Sequence, residues 1–189
     1  MIIGHAFYWS ILFISSIRVA SYNYTIVRQS VEWAKVVLDD ADTVSRLVSL
    51  IGQGRSSKEM VDLPVFISLT CVSFRINSLK DTIQTILHGI VIPTHIFIFL
   101  SQEPYLMDEG VKNIPPNLLE YVATGMVTII YTENIGSHRK LLPLLQHFYN
   151  KDVIIVTIDD DLKFKANSTL LYQLLRSYRQ TDGNEVIAL

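Results

Sequence analysis

The sequence has 189 residues, 49% of them hydrophobic and 18% charged, so it can bury a core of one ordinary domain and does not have the composition of a disordered chain. Sixteen basic residues against eighteen acidic ones leave a net charge of −2, which gives no basic footprint for nucleic acid. Cys71 is the single cysteine, which excludes an internal disulfide and a cysteine-rich zinc site; next to a strand-like run it reads as a small buried hydrophobe.

The chain opens on an apolar run at residues 6–17 (AFYWSILFISSI), followed by Arg18. It has signal-peptide length, lacks a basic start, and is short of the roughly 20 residues that a spanning helix needs. Residues 1–20 are therefore expected to be a signal or membrane anchor, with a buried or surface-lying helix as the alternative. The sequons at Asn23 and Asn167 suit a protein of the secretory pathway, against a cytoplasmic alternative. Between residues 31 and 51, Val36, Val37, Val44, Leu47, Val48 and Ile51 recur at helical spacing, and Gly52 to Ser57 breaks the pattern. Residues 21–63 thus read as a helical stem and linker, or as a helix packed on the main domain.

From Pro64 the texture changes. Short runs rich in β-branched and aromatic residues at 65–70, 95–100, 127–131 and 153–158 have the composition of buried strands. Helical patterns lie between and after them. The first covers 77–88, with Asn77 as its N-cap and Gly89 as its stop; the second runs from Pro115 to about Gly125. The third covers 140–149, with Pro143 in its first turn, and the fourth covers 167–178. A fifth strand begins near Val186. This alternation predicts an α/β domain over 64–189, with a Rossmann-like, mainly parallel sheet, helices on both faces and a helical segment in front. In such sheets ligands bind beyond the carboxyl ends of the strands.

The fourth predicted strand ends in Asp159, Asp160 and Asp161. Three adjacent carboxylates repel one another and need a compensating cation or a helix N-terminus. A hard divalent ion such as Mn²⁺ or Mg²⁺ meets that need and shares its remaining coordination positions with phosphate oxygens. In extended backbone Asp159 and Asp161 point to one side and Asp160 to the other, so one pair can hold the metal while the odd member addresses a ribose or sugar. A solvated, helix-capping loop is the alternative. The adjacent pair Arg139–Lys140 opens a helix, where the helix dipole disfavours cations unless an anion is near.

Ile158 with the three aspartates resembles the acidic signature of GT-A glycosyltransferases, and two further segments are similar to family 2-like members in the expected order. One is Ile67 to Thr70 followed by Arg75; the other is Glu133-Asn134-Ile135-Gly136 followed by Arg139 and Lys140. The resemblance implies a nucleotide-diphosphate-sugar donor, a divalent cation, and transfer of the sugar to an acceptor hydroxyl on a glycan, lipid or protein. It places Ser68, Thr70, Arg75, Asn134, Gly136, Arg139, Lys140 and Asp160 at the nucleotide sugar and Asp159 and Asp161 at the metal. Residues 6–17 would tether the domain to a membrane. Acceptor recognition and the general base of this family lie beyond the acidic motif, so the domain is expected to be incomplete at Leu189 and no base is assigned. A Mg²⁺-dependent phosphotransferase or nucleotidyltransferase also needs clustered carboxylates, although the sequence has no Gly-X₄-Gly-Lys-Ser/Thr loop. A non-catalytic nucleotide-sugar-binding module is the third reading. Glu103, His138 and His147 read as surface positions, neither histidine having zinc-site spacing.

Overall fold

The computed structural model describes residues 11–14, 55–164, 168–181 and 187–188. The helical pattern of 31–51 and the sequons' asparagines, Asn23 and Asn167, lie outside them. Among the described residues there are eight strands: β1 (Ile11–Ile14), β2 (Arg55–Ser56), β3 (Val65–Thr70), β4 (Val91–Ile92), β5 (His95–Leu100), β6 (Val127–Tyr131), β7 (Ile154–Thr157) and β8 (Ile187–Ala188). Four helices accompany them: α1 (Leu79–Leu87), α2 (Pro116–Ala123), α3 (Leu142–His147) and α4 (Leu170–Gln180).

The main sheet has the order β6-β5-β3-β7-β1-β8. Its first four strands are mutually parallel, with Phe66 opposite His95 in β5, Val65 opposite Ile154 in β7, and Ile96 of β5 opposite Val127 in β6. Numbered in chain order, these four lie as 3-2-1-4. The chain therefore leaves β3 in one direction to build β5 and β6, then returns across it to lay down β7 on the other side. β1, from inside the apolar run 6–17, lies antiparallel to β7, and β8 lies antiparallel to β1. Among the described residues no helix is long and apolar enough to cross a membrane.

Strand alternation divides the core into two layers. Val65, Ile67 and Leu69 of β3, Ile96, Ile98 and Leu100 of β5, and Ile154, Val156 and Ile158 on and after β7 face one way. They meet Leu79, Ile83 and Leu87 of α1, Leu118 and Tyr121 of α2, and Leu171, Leu174 and Leu175 of α4. Phe66, Phe99, Ile130 and Ile155 face the other way, onto Leu144 of α3. The helix of the returning crossover thus covers the opposite face from the helices of the outgoing ones, as right-handed connections require. Along β3, β5 and β7 both faces are covered, which is why these strands read as nearly continuous apolar runs.

Several boundaries shift for local reasons. The first helix is entered through a 3₁₀ turn at Ser73–Ser78, so Asn77 is inside the turn, not the cap. The third helix is likewise preceded by a 3₁₀ turn, Gly136–Lys140, and Pro143 occupies its first turn, where its missing N–H costs nothing. Gly125 follows α2 with φ +77°, the left-handed conformation that ends a helix. The Arg55–Ser56 strand pairs in parallel with β4, and Ser57 and Val61 are buried against the domain. Packing of the domain therefore begins before Pro64.

Candidate functional site

The 3-2-1-4 order puts the topological switch point between β3 and β7, and the acidic triplet follows β7 at its carboxyl end, with one residue, Ile158, between it and Thr157. Alternation continues past the strand. Asp159 leaves on the α3 side, and Asp160 turns to the α1 side, where it is 5% exposed. Thr82, in the first turn of α1, donates its hydroxyl to the Asp160 carbonyl at 2.7 Å and fixes the backbone there. Neither Thr82 nor its partner carbonyl carries a sequence signal.

Two basic side chains face the triplet. Arg75 comes from the 3₁₀ turn after β3 and grips two carboxylates at once, Nη2 to Asp160 Oδ1 at 2.9 Å and Nη1 to Asp161 Oδ2 at 2.8 Å. Lys140 comes from the turn before α3, on the opposite side, and its ammonium donates to Asp159 Oδ1. The compensating charge that three adjacent carboxylates demand is supplied from within the chain, two cations against three anions. Arg75 unites Asp160 with Asp161, while Asp159 is held apart by Lys140.

The compensation is incomplete. Asp160 Oδ2 and Arg75 Nε are both buried without a hydrogen-bond partner. Burial pushes the Asp160 carboxyl above its ordinary value, while the neighbouring Cys71 thiol and the Arg75 guanidinium pull the other way. The Cys71 thiol is itself raised, first by burial and then by the Asp160 carboxylate, which makes it an unreactive core thiol rather than a nucleophile.

Other sequence-predicted residues occupy different roles. Ser68 is fully buried and donates to the Lys140 carbonyl, tying the basic turn to β3. The Thr70 hydroxyl donates to the Phe99 carbonyl at 2.6 Å across to β5. Arg139 points inward, away from the triplet. Its Nη2 meets Asp108 Oδ2 at 3.0 Å, and its Nε donates to the Gly136 carbonyl at 3.2 Å. Asn134 donates to the Glu103 carbonyl at 2.6 Å and accepts from the Gly136 amide at 3.3 Å. Gly136 takes φ +63°, and a Cβ there would stand 3.3 Å from the Tyr105 ring. His138 and His147 are exposed.

Asp108 is the centre of this second network, and the sequence reading passed over it. Its Oδ1 accepts from the Ser73 amide at 2.9 Å and the Gly110 amide at 3.1 Å, and its Oδ2 accepts from Arg139. Burial alone would raise this carboxyl, but the two amides and the guanidinium outweigh it and hold it below the ordinary range. One buried side chain thus joins the loop after β3, the loop after β5 and the turn before α3. All three follow strands at the carboxyl end of the parallel sheet, the end at which the triplet stands.

Chemically the triplet offers hard carboxylate oxygen, the donor type that Mg²⁺ and Mn²⁺ prefer, and Asp160 Oδ2 is an unpaired oxygen within it. As arranged, no three carboxylate, histidine or cysteine side chains converge to hold an ion among the described residues. Lys140 draws Asp159 to one side and Arg75 draws Asp160 and Asp161 to the other. Compared with models of known protein families, with curated proteins and with solved structures, the chain has no significant match to any of them.

Proposed function

We propose that the chain is the donor-binding domain of a GT-A type glycosyltransferase, family 2-like, which takes a nucleotide-diphosphate sugar and passes the sugar to an acceptor hydroxyl of a glycan, lipid or protein. The observation that carries this reading is the position of the triplet: three aspartates at the switch point of a parallel 3-2-1-4 sheet, faced by Arg75 and Lys140. That arrangement joins carboxylates for a divalent ion with cations for a diphosphate.

In this reading Asp159 and Asp161 hold Mn²⁺ or Mg²⁺, which when bound stabilises charge gathering on the departing nucleoside diphosphate. Lys140 and Arg75 are the cations within reach of the phosphates, and Arg75 offers the fork that matches phosphate oxygens. Asp160 addresses a donor hydroxyl once Arg75 releases it. Arg139, Asn134 and Gly136 keep the basic turn in shape, and Ser68 and Thr70 hold the strands beneath it. Ile11–Ile14 pair with β7 as β1, so residues 6–17 can tether the domain to a secretory-pathway membrane only if that strand leaves the sheet; an endoglycosidase-sensitive mobility shift on expression in eukaryotic cells supports secretory-pathway entry, and an unshifted, wholly cytosolic protein removes it.

The test is product analysis with a panel of nucleotide sugars and Mn²⁺. Free nucleoside diphosphate together with released or transferred sugar supports the transferase. Pyrophosphate or phosphoryl transfer would instead make the same carboxylates those of a nucleotidyl- or phosphotransferase. Binding without turnover would leave a nucleotide-sugar-binding module.

A further inference from the structure

We infer that Arg75 and Lys140 are internal counter-ions of the acidic triplet, which compete with a divalent cation for it and pass to the diphosphate when that cation enters. This rests on the proposed donor site, and it concerns how the site couples its two ligands. Each carboxylate of the triplet has an oxygen committed to a basic side chain: Asp159 to Lys140, Asp160 and Asp161 to Arg75. A metal ion arriving alone meets carboxylates whose charge those cations already offset, and a diphosphate arriving alone competes with those carboxylates for the cations. When both arrive, each ligand takes the partner that the other would have left bare.

The two clamps differ in how readily they exchange. Asp161 and Arg75 are 47% and 37% exposed and Asp159 is 36% exposed against a Lys140 at 18%, so water reaches both pairs, the Arg75–Asp161 pair more than the other. Asp160 is 5% exposed and keeps one oxygen unpaired, as Arg75 keeps its Nε. The buried half of the Arg75 clamp is therefore held under cost, since unmatched polar groups lose the hydrogen bonds that water gave them. A ligand pair that opens the clamp lets water or ligand reach those groups and relieves that cost. Reciprocity of linkage then requires that metal tighten diphosphate by the same factor as diphosphate tightens metal.

Calorimetry on the full chain tests this with two simple probes kept apart, so that no complex forms between them in solution. Mn²⁺ is titrated alone into the parent, Lys140→Met and Arg75→Met proteins; inorganic pyrophosphate is titrated with chelator into the parent and Asp159→Asn. Internal competition predicts that the methionine variants bind Mn²⁺ at least about fivefold more tightly than the parent, and that Asp159→Asn binds pyrophosphate more tightly by a similar factor. Thermal midpoints identify any variant that does not fold, and Lys140→Gln then replaces Lys140→Met. Unchanged or weaker Mn²⁺ binding in folded variants overturns the inference, as does the absence of binding of either probe. If the parent binds a nucleoside diphosphate only with Mn²⁺ while the variants show no tightening, the donor site stands and the internal competition falls.

Discussion

Arg139 and Asp108 form the most deeply buried ion pair described in the molecule, with Nη2 and Oδ2 3.0 Å apart and side chains 2% and 5% exposed. Removing one member of such a pair strands the other's charge in the interior, which costs about 3–5 kcal/mol. Arg139→Met should therefore lower the urea midpoint substantially. Asp108→Ala should lower it further, because it also strands the Ser73 and Gly110 amides. Ligand affinity of folded Arg139→Met should fall only in step with the lost stability, as the turn that carries Lys140 loosens. A fall in affinity with no loss of stability would mean that this guanidinium reaches the ligand after all.

Three glycines with positive φ give a ranking that separates backbone strain from crowding. At Gly125, φ +77°, nothing lies within 4 Å of an added Cβ, so alanine should cost only the left-handed strain, about 1 kcal/mol. At Gly136 the Tyr105 ring, 3.3 Å away, adds crowding that a side chain can partly relieve, for a total of about 1–2 kcal/mol. At Gly110 the Cβ would stand 2.3 Å from the Gln102 carbonyl oxygen, which is backbone and has little room to yield. Gly110→Ala should cost about 3 kcal/mol or more. Chemical denaturation of the three variants checks the order; equal losses would show that crowding contributes nothing.

Stability should depend on pH through His95. Burial lowers its pKa from the ordinary 6.5, and its Nε2 lies 2.8 Å from the Thr128 hydroxyl. Below 6.5 the unfolded chain takes up a proton that the folded imidazole refuses, so stability is complete above that pH and declines as pH falls beneath it. Asp108 adds a second, more acidic window of the same sign. Its folded pKa is held below the ordinary 3.8, so its contribution is lost as pH drops through that lower value. Asp160, raised by burial, works in the opposite sense as pH climbs above 3.8, so the His95 contribution is read as a difference: urea midpoints of the parent should rise with pH just below 6.5 more steeply than those of His95→Gln. An unchanged slope in that variant would assign the dependence to another group.

β3, β5 and β7 were legible in the sequence because both their faces are covered, and a run such as Val65 to Leu69 has few ways to be anything else; β1 was not, since the apolar run around Ile11–Ile14 reads equally as a signal or anchor. Helix starts were less so. Asn77 has the chemistry of a cap, but the chain enters α1 through a 3₁₀ turn and leaves its side chain no capping role. The triplet's place at the strand end was also readable, but its sidedness was not: the chain turns at Asp160 and Asp161, so Arg75 gathers those two together and Asp159, not Asp160, is the one set apart. What local pattern does not encode is pairing across the fold. Arg139 and Lys140 are neighbours with the same charge, yet one pairs inward with Asp108 and the other with Asp159. Asp108 sits in an exposed-looking Asp-Glu-Gly turn, and only the meeting of three loops makes it central. The two-residue strands β2 and β4 are too short for periodicity to mark.

The most direct measurement of the central claim is Mn²⁺-dependent nucleoside diphosphate binding, taken together with the thermal midpoint, on the parent chain and on Asp159→Asn and Asp161→Asn. Asparagine keeps the shape and one oxygen but removes the charge that draws the cation. If these carboxylates hold the metal under a diphosphate, affinity should fall at least about tenfold, a loss of roughly 1.4 kcal/mol, in each variant. The midpoint should move little, because the ion pairs each variant loses are solvent-exposed in part. Parent-like, Mn²⁺-dependent binding in both variants, or a drop in midpoint without a change in affinity, would contradict a metal-dependent donor site at the end of β7.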